Sequence, residues 1–339
     1  MMKVGIYYGQ NDVRVEERPI PAIGPKDVLI RNLRGGICGT DINIVKIGSS
    51  NMGIRFEQEF GHELFGEVVE VGAEVKDVTV GMRVGVNPIT AKRAGRHFAC
   101  EVGGFSQFLT VEDAALNYNL YEMSDSVTPE EAALMEPMSV GFHGAFSVAP
   151  KPGEHIVVMG AGPIGLSAAA SLIGEGITNV VVVDIDDFRL AKARDIGAKT
   201  VNTLHEDLAQ SLIGYFGSAY IYGTEVPNVD AFVDAAGAPP LFQQVFNIAK
   251  SGARIAIIAV YKQELPVSLA NIMSKELKII GASGYSDYDI TRVIDHLEKK
   301  KTPIASMITH TYKLHELPEA FAKAIEAKEA IKVLIDLED

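Results

Sequence analysis

Cysteine is scarce in this chain: Cys38 and Cys100 are the only two among 339 residues. Two thiols cannot build a disulfide framework, and their scarcity fits a protein of the reducing cytosol. Positive charge is in deficit as well, with 31 Lys and Arg against 44 Asp and Glu and a formal net charge of −13. No basic run or basic–aromatic stripe relieves it. Such a surface repels polyphosphate and anionic lipid, so neither nucleic acid nor a membrane is expected as a partner. No segment offers the roughly 18 consecutive apolar residues that a membrane span needs. The opening MMKVGIYYGQNDVRV reads as a strand and lacks the apolar core of a signal peptide. Internal repeats and low-complexity tracts are missing too. These absences leave a cytoplasmic globular protein, long enough for two domains.

Two textures divide the chain. Up to about residue 145 it is β-rich: KDVLIRNL, GEVVEVGAEV, MRVGV and FSQFLTV have strand length and are punctuated by glycine and proline. After Pro150-Lys151-Pro152-Gly153, apolar strand runs alternate with helix-length segments. HIVVMG precedes PIGLSAAASLIGEG, NVVVVD precedes DDFRLAKARDIG, and DAFVDAAG precedes PPLFQQVFNIAKSG. Continuous Val and Ile runs joined by helices predict an α/β fold with a parallel sheet covered on both faces. The alternation weakens after about 284, and the tail reads as an amphipathic helix followed by the strand KVLIDL.

The clearest local motif is Gly160-Ala161-Gly162-Pro163-Ile164-Gly165, a GxGxxG between a strand and a helix. Nineteen positions beyond it, Asp184 closes the next strand. In that context the glycines let backbone approach a pyrophosphate, and the helix N-terminus supplies N–H groups. Asp184 would accept a ribose diol and repel a 2′-phosphate, so the pattern favours NAD over NADP. A flavin site, an S-adenosylmethionine site or a turn without a ligand are the alternatives. Arg189 either touches the adenosine side or is a helix-surface arginine.

A second constellation is dispersed. Cys38 lies in GGICGTD, His62 and Glu63 in FGHELFG, and Glu136 in LMEPMSVGFHG, 24 and 74 positions apart. Thiolate, imidazole and carboxylate are zinc donors, but this spacing alone is equally that of a buried cysteine, a satisfied histidine and surface acids. The adjacency of His62 and Glu63 amid apolar residues raises the sharper question, because a buried charge needs a partner or a metal.

The stretches GGICGTD, FGHELFGEVVEVG, VGMRVGV, LMEPMSVGFHG, VVMGAGPIGLSAAA, VVVVDIDDFRLAKARDIGA, DAAGAPPLF and LPEAFAKAI together resemble the medium-chain dehydrogenase/reductase superfamily, in the family's order and over nearly the whole chain. Within it the chain is most similar to the zinc-dependent sorbitol, butanediol, threonine and sugar-alcohol-phosphate dehydrogenases. The resemblance implies a discontinuous GroES-like catalytic domain over 1–145 and 285–339 and a Rossmann domain over 146–284, with the active site in the cleft between them. It implies one catalytic zinc per subunit, held by Cys38, His62 and either Glu63 or Glu136, and NAD bound by Gly160, Gly162, Pro163, Ile164, Gly165, Asp184 and Arg189. The implied reaction is hydride transfer between a small secondary alcohol and NAD, with Thr40 at the proton-relay position and Asp41 structural. A dimer or tetramer is expected.

The chain also departs from that pattern. Many members carry four close cysteines after the VGMRVGV region; here NPITAKRAGRHFACEVGG offers only Cys100, too few donors for a second zinc. Cys100 then reads as a small buried hydrophobe, with a His97–Cys100 metal pair as the lesser reading. Asn43 stands where some alcohol dehydrogenases finish the relay with histidine. Phe56, Phe98 and Phe105 are pocket candidates. Two rivals remain: a zinc-free quinone or enone reductase of the same superfamily, and a non-catalytic protein that kept the fold.

Overall fold

The computed structural model describes residues 1–48, 54–93, 95 and 99–338. Its chain forms two compact units, Met1–Glu136 with Leu297–Lys299 and Ile308–Asp339, and Pro137–His296 with Lys300–Met307.

The first unit is built on β-structure. Its main sheet runs, from one edge, through Ile308–Lys313, Lys332–Asp336, Val28–Gly36, Glu63–Val71, Arg83–Val86 and Leu120–Glu122, with Phe108–Val111 also on Val28–Gly36. The tail strand thus returns to pair with a strand some 300 residues earlier. Register matters here. Gly36 faces Glu63 on one side and Leu334 on the other. Lys332 lies two residues before Leu334, and side chains two apart share a face. Lys332, Gly36 and Glu63 therefore share one face of the sheet. An apolar core of Phe60, Phe105, Leu317, Phe321 and Ile335 packs beside it, with ring centroids of Phe60 and Phe105 4.9 Å apart.

The second unit is a six-stranded parallel sheet. In space its strands run Lys199–Asn202, Val180–Asp184, Ile156–Met159, Ala231–Asp234, Arg254–Ile257 and Lys278–Gly281. The central strands are fully buried runs of Val, Ile, Met and Phe, as a sheet covered on both faces requires. The first strand in sequence stands in the middle, and the order reverses beside it. Ligands bind outside the carboxyl ends of strands at such a switch point. One feature was not legible in the sequence: a two-stranded antiparallel hairpin, Ser218–Ile221 with Thr224–Pro227. Its two-residue turn places Tyr222 and Gly223 at φ 48° and 83°, the backbone that fits a tight hairpin. Among the described residues no helix is long and apolar enough to cross a membrane.

Candidate metal centre and dinucleotide site

Cys38 is the N-cap of the helix Gly39–Ile47. Asp41, in that helix's first turn and wholly buried, accepts the Cys38 N–H at 2.9 Å on Oδ2. Its other oxygen lies 3.5 Å from Nδ1 of His62. One carboxylate thus holds the cysteine's turn and backs the histidine. Asp41 is thus structural in its turn, as expected, and its second oxygen faces a histidine. His62 follows a tight turn. Gly61 turns the chain at φ 92°, and the Phe105 ring occupies the space where a side chain would stand. Gly61 also receives Gly103 and Gly104 N–H on its carbonyl and donates to Cys100 O.

The donor atoms of Cys38, His62 and Glu63 all lie within 4.8 Å of one another. A soft thiol, an imidazole and a carboxylate converging this closely are a chemically apt zinc set. Burial pushes the Cys38 thiol up, opposed by His62. Burial alone would push His62 down, but Asp41 and Cys38 hold it well above its ordinary value. A dication entering between them would displace these protons, since ligands bind deprotonated. Cys100 adds to the groups that raise the His62 pKa. Cys100 is half-buried and packs against the core of Phe60 and Phe105. His97 and Phe98 lie outside the described residues.

The charge of Glu63 has a partner that the sequence did not disclose. Lys332, 1% exposed, donates to Glu63 Oε2 at 2.5 Å and to the Ile37 carbonyl at 3.2 Å. Burial opposes its charge, but Glu63, Cys38 and Glu136 hold it above its ordinary value. The buried His62–Glu63 pair is thus compensated first by Asp41 and Lys332 and not by a metal alone. Gly36 makes room: a side chain there would collide with the Glu63 carboxylate. Glu136, buried in the first turn of Met135–Ser147, is outside the converging donor group but close enough to act on Lys332. Thr40 is half-buried, two positions beyond Cys38.

Among the remaining candidates, Phe105 is wholly buried in the aromatic core, while Phe56 is 60% exposed and leans on Tyr8. His143 binds Asp289 at 2.9 Å, and His155 binds the Asn228 carbonyl at 2.8 Å. Both are satisfied structural histidines. His310 buries Nδ1 and stacks on Tyr312.

The second unit carries a cavity of about 530 Å³ lined by Gly160, Gly162, Asp184 and Arg189, and by Thr203 and Ala236 among others. Gly160 adopts φ 96°, and a side chain on it would press on Ala236. Gly162 caps the helix Pro163–Gly174, and a Cβ on it would meet the Arg189 side chain at 3.9 Å. Gly165 does a different job. Any Cβ there would run into the Gly160 carbonyl, so this glycine packs the helix against the turn. Pro163, Ile164 and Gly165 start the helix and do not line the cavity. Asp184 is fixed by three backbone N–H groups, from Ala161, Ile185 and Asp186, at 2.6, 2.7 and 3.0 Å. Arg189 lies 3.9 Å from Asp186. Ala235, Ala236 and Ala238, from the turn after the strand Ala231–Asp234, form the wall that the sequence motifs had not assigned. Asp234 holds that turn, accepting the Ala236 and Gly237 N–H groups and the Tyr261 hydroxyl at 2.5 Å.

Comparison with known proteins bears on both sites. Residues 24–119 match the alcohol dehydrogenase GroES-like domain, and residues 163–299 match the zinc-binding dehydrogenase domain. A sorbitol dehydrogenase of Bacillus subtilis is 30% identical over 98% of this chain and 97% of its own. The chain belongs to the zinc-type alcohol and polyol dehydrogenase family of medium-chain oxidoreductases. Solved dehydrogenases share its fold. The crystal structure of 2R,3R-butanediol dehydrogenase from Bacillus subtilis aligns at a TM-score of 0.87 and 26% identity, over 99% of both chains. A structure from Escherichia coli CFT073, named a short chain alcohol dehydrogenase and complexed with NADH, aligns at 0.84 and 27% identity, again over 99% of both.

Proposed function

We propose that this chain is a zinc-dependent dehydrogenase that moves hydride between a small secondary alcohol of polyol type and NAD. The observation that carries the reading is the convergence of Cys38, His62 and Glu63 within 4.8 Å in a chain whose other unit holds an acid-guarded glycine cavity. Cys38, His62 and Glu63 would hold the metal, with Glu136 as a further carboxylate near it. When bound, zinc supplies Lewis acidity toward an alcohol oxygen, and the dinucleotide supplies the hydride acceptor. Asp41, with Oδ1 3.5 Å from His62 Nδ1, would orient the imidazole, as carboxylates do behind metal-binding histidines. The Thr40 hydroxyl both donates and accepts, which suits it to carry the alcohol's proton away. Asn43 does not titrate, so the next proton acceptor beyond Thr40 would be water.

In the second unit, Gly160 and Gly162 would admit a pyrophosphate to the helix N-terminus at Pro163. The fixed Asp184 carboxylate would accept the ribose hydroxyls and repel a 2′-phosphate, which supports NAD. Arg189 would flank the adenosine. The strand Lys278–Gly281, an exposed sheet edge near the exposed Leu269 and Met273, supports pairing with a second copy, because open apolar edges attract strands. The free thiols Cys38 and Cys100 suit a reducing cytoplasm.

The test is a screen of polyols and secondary alcohols with NAD and NADP, following absorbance of the reduced nicotinamide. Turnover of at least one polyol, faster with NAD, is expected. Turnover of quinones or enones alone would replace the reading with that of a reductase.

A further inference from the structure

Lys332 is among the most deeply buried charged groups of the described chain, and its ammonium meets the very carboxylate that faces Cys38 and His62. Its position is not accidental to the strand. The tail strand Lys332–Asp336 is antiparallel to Val28–Gly36, and Ile37 N–H donates to the Val333 carbonyl at 3.0 Å. That register aims Lys332 over the side-chain-free Gly36 toward Glu63. The Ile37 carbonyl takes a second N–H of the ammonium and fixes its height.

Charge makes the same point. Glu63 is a carboxylate only 1% exposed, and the ammonium of Lys332, equally buried, is the cation paired with it. Buried ions of one sign left unbalanced are strongly disfavoured. We propose that Lys332 is a positioning residue of the metal centre, holding Glu63 in place against Cys38 and His62 and offsetting the charge of that carboxylate. This rests on the zinc reading above and deepens it. The lysine is 1% exposed and its ammonium is bonded to Glu63 and the Ile37 carbonyl, so it acts through Glu63.

The probe is cobalt(II) bound to the full-length chain, whose visible absorption bands report the donors around the metal. Wild type, Lys332→Met, Lys332→Arg, Glu63→Gln and the double variant Glu63→Gln/Lys332→Met are compared. Lys332→Met is expected to shift the bands in position and intensity, while the thiolate-to-cobalt band persists. Lys332→Arg should return most of the wild-type spectrum. The double variant should match Glu63→Gln alone, because a residue acting only through Glu63 has nothing left to act on. It removes both partners of the buried pair, so it decides the matter even if Lys332→Met fails to fold. A folded Lys332→Met with the wild-type spectrum overturns the inference and leaves the zinc reading standing. A double variant that departs from Glu63→Gln overturns it too. A wild type that takes up no cobalt overturns the zinc reading, and this inference with it.

Discussion

Asp41 and Asp184 each use a carboxylate twice, once for backbone and once for a site. Asp41 accepts the Cys38 N–H and backs His62. Replacing it with asparagine keeps the shape and removes the charge behind the imidazole. Losses of such outer partners typically cost about 10- to 100-fold in metal affinity. Asp41→Asn should therefore release zinc to a competing chelator at about 10-fold lower chelator concentration, and equal retention would discount this role. Asp184 is pinned by three N–H groups at the cavity wall. Its replacement by alanine should raise KM for NAD about 10-fold, the worth of roughly one charged hydrogen bond, and narrow the preference over NADP. Kinetics with both dinucleotides check it. The legibility of these residues differed. Asp184 was readable locally, because a strand, a glycine turn and a helix fix where the next strand's last acid must stand. Cys38 and His62 were readable only through resemblance, because 24 residues of spacing define no geometry. Lys332 was not readable. It heads the apolar strand KVLIDL, 269 positions from Glu63, and only the sheet register joins them.

At the scale of elements, the helices of the second unit are locked by buried polar contacts that the hydropathy pattern conceals. In the last turn of the helix Asp287–Glu298, His296 packs on Gly174, with Nε2 2.8 Å from the Thr302 hydroxyl. Burial, aided by Lys301, lowers its pKa from 6.5 to about 4. A group whose pKa is lower folded than unfolded adds stability above the unfolded value, and that stability is lost as pH falls through the folded one. Between pH 6.5 and about 4 the unfolded chain binds more protons, so stability rises with pH there. The full contribution is about 3 kcal/mol. Denaturant melts of wild type and His296→Gln across pH 4 to 7 should show a distinctly shallower slope in the variant; parallel slopes would refute the assignment. The strands were easier to foresee than this contact. Runs such as HIVVM and VVVVD are apolar on both faces and have one place to go, whereas the hairpin Ser218–Pro227 alternates too briefly to separate from a loop.

At the scale of the molecule, composition excluded a good deal and located little. A net charge of −13 and two cysteines bear on partners and compartment, and the order of the motifs along the chain pointed to the family. Whether the chemistry of that family is retained rests on the metal. The decisive measurement is zinc per subunit in purified wild type and in Cys38→Ser, determined by elemental analysis and paired with NAD-dependent polyol oxidation. One zinc per wild-type subunit, lost together with turnover in Cys38→Ser, is the predicted result. A carefully prepared wild type without zinc, or a Cys38→Ser variant that keeps both zinc and activity, would contradict the assignment of this centre.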